Sequence, residues 1–116
     1  MRTSKGIMCV VASRLIRIAN ELVANEIKST LAKEGYNSTV RDDGGNHFSV
    51  DVEVKFPRGK SFEMSDSEAD ALIDKIEGIL NGVSPDWRGT FSDASEFDEL
   101  DDGTDLITLY FEVYKK

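Results

Sequence analysis

One segment constrains the fold of this chain more than any other. Phe48, Val50, Val52, Val54 and Phe56 are apolar, and His47, Ser49, Asp51, Glu53 and Lys55 between them are polar. Strict alternation sends the two sets to opposite faces of a pleated strand, one buried and one wet. The end of the chain obeys the same rule, with Ile107, Leu109, Phe111 and Val113 alternating with Thr108, Tyr110, Glu112 and Tyr114. Two half-buried strands need a second layer over their apolar faces.

Helices supply that layer. Over residues 13–34, Leu15, Ile16, Ala19, Leu22, Val23, Ile27 and Leu31 recur at helical spacing, and Gly35 stands where a C-terminal cap belongs. The start has two readings: Ile7–Val11 is a short buried strand with Ser13 as N-cap, or the helix begins near Ser4. A second helix is predicted from Ser65, because Ser65-Asp66-Ser67-Glu68 is a capping box. Its buried stripe is Ala69, Leu72, Ile73, Ile76 and Leu80, and Asn81-Gly82 ends it. Each helix precedes a hairpin. Tyr36–Arg41 leads through Asp42-Asp43-Gly44-Gly45-Asn46, residues that tolerate positive φ, into the first alternating strand, which Pro57-Arg58-Gly59 ends. Trp87–Phe91 is the predicted partner of the last strand.

Asp42-Asp43-Gly44 and Asp101-Asp102-Gly103 lie 59 residues apart, and the strands after them match in pattern. The chain therefore resembles two helix–hairpin units. The expected fold is a single α+β domain over residues 1–116: an antiparallel sheet of four to five strands with two helices on one face. A ferredoxin-like order is an option if Ile7–Val11 is a strand.

Charge is distributed unevenly. The 116 residues carry a net charge of −8, but residues 1–60 hold ten Lys/Arg against seven Asp/Glu and residues 61–116 hold four against fifteen. Hydrophobic residues at 40% supply enough apolar surface for a packed core. Cys9 is the only cysteine, so no intrachain disulfide forms and a reducing, cytoplasmic location is expected. The apolar run Ile7–Ala12 is short for a signal peptide, and no stretch approaches the roughly 18 apolar residues of a membrane span.

Catalytic machinery is sparse. His47, Ser49 and Asp51 share a strand face, but residues two apart sit roughly 6.7 Å from one another. Ser49 also stands between the other two, which is the wrong order for a triad. One Cys and one His do not make a zinc site. An EF-hand loop beginning at Asp98 fails at Leu100 and Leu109. Arg58-Gly59-Lys60 lacks P-loop spacing. The reading is of no enzyme, no metal and no cofactor.

The remaining candidates are surfaces. Residues 92–105, SDASEFDELDDGTD, contain seven carboxylates: Asp93, Glu96, Asp98, Glu99, Asp101, Asp102 and Asp105. One helical turn there would bury Phe97 and Leu100 and hold the carboxylates outward. Asp66, Asp70, Asp74 and Glu77 add a second acidic row at steps of four and three along the second helix. Such an array suits a protein that occupies a partner's phosphate-binding groove. The expectation is a small acidic inhibitor that mimics nucleic acid and docks on a basic partner protein, as anti-defence proteins of mobile elements and toxin-immunity proteins do. Tyr110 and Tyr114 form an outward aromatic patch that serves the same contact or a homodimer. Arg14, Arg17, Lys55, Arg58 and Lys60 are the rival, nucleic-acid-binding set, which the net charge disfavours.

Overall fold

The computed structural model describes residues 19–116. The Ile7–Val11 segment, the start of the first helix, Cys9, Arg14 and Arg17 lie outside the described residues.

Helix α1 is described over residues 19–33. Ile27 and Leu31 are fully buried, and Val23, one turn earlier, packs partly against the same core. Leu22 was expected on this stripe but is 64% exposed. It sits one residue off the four-step row of Val23, Ile27 and Leu31, which points it away from the sheet. Gly35 ends the helix with φ +88°, the left-handed conformation glycine adopts without steric cost.

Strands β1 (Asn37–Gly44) and β2 (His47–Pro57) follow as a hairpin. Gly45 and Asn46 turn the chain with positive φ, and the amide of Gly44 donates to Asp42 Oδ1 at 2.9 Å. Helix α2 (Asp66–Gly82) begins with the expected capping box: Ser65 Oγ accepts from the Glu68 amide, and the Glu68 carboxylate accepts from the Ser65 amide. Strands β3 (Trp87–Glu99) and β4 (Thr104–Lys115) form the second hairpin.

All four strands are antiparallel, in the order β1-β2-β4-β3. The two alternating strands of the sequence are thus the two central ones. Phe48, Val50, Val52, Leu109, Phe111 and Val113 meet Ile27, Leu31, Ile76 and Leu80 in one buried cluster, so both helices cover the same face. The α+β reading of two helices on one face of an antiparallel sheet holds. Within this sheet β2 and β4 pair directly along eleven residues; the ferredoxin-like option rests on Ile7–Val11, which lies outside the described residues.

The largest departure from expectation is β3. It does not end at Phe91 but runs through the acidic stretch to Glu99, so Phe97 and Leu100 do not anchor a helical turn. Partner strand β4 is twelve residues long, and pairing with it holds a sequence of low β-propensity in extended form. The register shifts between Phe91 and Ala94, where Asp93 takes φ +57°. This bulge lets the strand change pitch midway.

Helix α2 seals the first half of this edge strand. Gly89 approaches so closely that a Cβ there would lie 2.5 Å from Leu80 Cβ. The Asn81 amide accepts from Gly89 N–H at 2.9 Å and donates to its carbonyl at 3.2 Å, and Glu77 accepts from Phe91 N–H at 3.0 Å. Side chains of the helix therefore satisfy edge groups that would otherwise be open to a passing strand.

Candidate functional site

Beyond the bulge, α2 no longer touches the β3 edge through these bonds, and the carboxylates gather there. Asp70, Asp74, Glu77 and Asp93 line one acidic recess of about 480 Å³ between helix and bulge. Three of the four α2 carboxylates expected to share a face therefore do so at this recess. Along β3, residues Ser92 to Glu99 are all exposed. Strand geometry divides their charges: Glu96 and Asp98 point to the uncovered sheet face, opposite Thr108 and Leu106, while Glu99 takes the helix side opposite Asp105. Asp66 is exposed in the first turn of α2, and Asp101 and Asp102 occupy the β3–β4 turn.

Beside the acidic recess lies an apolar groove of about 360 Å³. Met64, Leu72, Ile73, Phe91, Ile107 and Leu109 form most of its walls, with Asp93 and Ser95 at its border. This groove was not foreseen from sequence. Phe62 and Phe97 continue the apolar surface, 75% and 42% exposed, with ring centroids 5.3 Å apart.

Asp105 does not belong to the acidic surface. It occupies the inward row of β4 and is fully buried. Its Oδ2 accepts from Gly59 N–H at 2.9 Å, and Arg58 Nε lies 3.0 Å from Oδ1, off the hydrogen-bonding line. Arg58 donates through Nη2 to the carbonyls of Leu100 and Thr104, and its Nη1 lies 3.6 Å from Glu99. One guanidinium thus ties the end of β2 to the whole β3–β4 turn.

The other basic candidates in the described residues are also matched with carboxylates. Lys55 lies 3.6 Å from Asp102 and Lys60 3.2 Å from Glu63; Arg41, outside that set, lies 3.2 Å from Asp51. Asp102 also accepts from both the amide and the hydroxyl of Thr104, and chiefly that hydroxyl bond holds its pKa below the ordinary carboxylate value.

The polar face of the sheet carries the tyrosines. Tyr114 is 37% exposed and Tyr110 half-buried; the helices cover the opposite face. The Glu96 carboxylate across the strand pair is the main cause that raises the Tyr110 phenol's pKa. On the same face, His47 Nδ1 lies 3.2 Å from Asp43 and Nε2 3.5 Å from Glu112; Ser49 donates to Asp43. Asp51, held by Arg41, is not the partner of His47. Among the described residues no cluster of three or more His, Cys, Asp or Glu side chains is arranged to hold a metal ion, and no helix is long and apolar enough to cross a membrane.

Comparison with family models, with curated proteins and with solved structures finds no match for this chain.

Proposed function

We propose that this chain is a non-enzymatic, protein-binding inhibitor whose acidic edge docks on a basic, nucleic-acid-binding surface of a partner. The observation that carries the reading is the gathering of Asp70, Asp74, Glu77 and Asp93 from α2 and β3 around one recess, with Glu96 and Asp98 farther along the same edge strand on its other face. Bringing like charges together costs stability, so an external cation would relieve what the fold itself does not. Lys55, Arg58 and Lys60, the described members of the rival nucleic-acid-binding set, each already lie beside a carboxylate, which weakens that alternative.

The test is capture of host proteins on immobilised chain, washed at graded salt. Binding through this edge falls steeply between about 50 and 200 mM salt. Replacing Asp70, Asp74, Glu96 and Asp98 by Asn or Gln weakens the complex and flattens its salt dependence. A complex indifferent to salt and to these four changes would contradict the proposal. Retarded migration of DNA or RNA in a low-salt gel would favour the nucleic-acid-binding alternative instead.

A further inference from the structure

We infer that the groove between α2 and β3 is the docking site for residues 2–17 of a second copy of this chain. The groove has apolar walls, Leu72, Ile73, Phe91 and Ile107 among them, and the carboxylates of Asp70, Asp74 and Asp93 stand beside it. Its occupant must therefore be apolar and basic at once. The first eighteen residues match both demands. They contain Arg2, Lys5, Arg14 and Arg17 and no acidic residue, together with Ile7, Met8, Val10, Val11, Leu15 and Ile16. Their net charge is +4, whereas residues 19–116 hold ten Lys/Arg against twenty-two Asp/Glu, a net of −12. No other eighteen residues of the chain combine this apolar content with such positive charge.

Topology selects the second copy over the same chain. Helix α1 turns into β1 within three residues, so it runs back along the sheet antiparallel to that strand. Strand β1 ends beside His47, which pairs with Tyr114. Ala19, the first described residue of α1, therefore lies towards the Tyr114 end of the sheet, while the groove lies towards Ile107, near the opposite end.

Apolar burial would supply most of the affinity and the charges its salt dependence. The acidic edge is shared with the proposed partner site, yet self-association needs no outside partner. Loss of one activity leaves the other measurable, so the two readings fail separately.

The test is the mass of the full chain in solution by light scattering and sedimentation, up to about 0.5 mM, a range that detects even weak dimers. Two charge swaps are compared: Asp70→Lys with Asp74→Lys, and Arg14→Glu with Arg17→Glu. Each is expected to weaken association at least about tenfold. An equimolar mixture of the two variants restores it, because each then meets a complementary surface. A chain that stays monomeric at every concentration overturns the inference, as does a dimer that both swaps leave intact. Should a swapped chain fail to fold, the wild type still decides: a dimer unchanged between about 50 and 500 mM salt overturns the inference, and one that dissociates supports it.

Discussion

Arg58 Nε lies 3.0 Å from Oδ1 of Asp105, the one fully buried charged side chain among the described residues. The pair joins the end of β2 to the second hairpin across 47 residues of sequence. Arg58→Met leaves a buried carboxylate facing only the Gly59 amide and is expected to cost about 3 kcal/mol or more. Adding Asp105→Leu removes the orphaned charge and restores much of that loss. Urea unfolding of the two single variants and the double variant measures the coupling. Equal, additive losses would show that the pair is not a unit.

Gly89 and Asn81 test how α2 holds the edge strand. Gly89→Ala places a Cβ against Leu80 Cβ of the helix and is expected to cost about 1–3 kcal/mol in thermal or denaturant unfolding. Asn81→Ala deprives Gly89 of both side-chain bonds. Its signature is faster amide hydrogen exchange at Gly89, with exchange in central β2 changed far less.

Tyr110 gives a pH-dependent signal. The neighbouring Glu96 carboxylate raises the phenol's pKa, so the folded chain holds that proton more tightly than the unfolded chain. The stability from this contact is complete below the ordinary tyrosine value of about 10. It is lost as pH rises through the raised folded value. Ultraviolet titration should show one tyrosine ionising late, and Glu96→Gln should bring it back towards the ordinary value. A wild type in which all three tyrosines titrate together would refute this assignment.

Ser65→Ala removes the acceptor for the Glu68 amide at the start of α2. A loss of about 1 kcal/mol is expected in chemical denaturation, typical of an N-cap. Ser67→Ala, two residues later, removes only a hydroxyl 3.2 Å from Ser65 Oγ and none of the cap's backbone bonds, so it is expected to cost less.

The central strands and both helices were legible because burial writes itself into periodicity: Phe48 to Phe56 and Ile107 to Val113 have no other sensible reading. The outer half of β3 was not legible. Ser92 to Glu99 contains one large apolar residue, Phe97, and owes its extended form to the edge of β4, a tertiary cause. Asp105 is instructive because its signal was present. It shares parity with Ile107, Leu109, Phe111 and Val113, which assigns it to the inward row, but its acidic neighbours in sequence suggested a surface. The acidic face of α2 was readable from spacing alone. The apolar groove was not, since its walls come from α2, β3 and β4 and from the turn before α2, which meet only after folding.

The pairing of β2 with β4 has one more consequence. Asp51 faces Tyr110 in this register, and the two are 59 residues apart, the same separation as the two Asp-Asp-Gly turns. Each is thus the other's counterpart in the repeat, and a local two-fold axis passes through the pair. The seam between the units has the geometry of an isologous dimer interface written into a single polypeptide. A lone helix–hairpin unit presenting its second strand would meet a copy of itself in the same alignment. Linking the units then amounts to raising the local concentration of one half around the other.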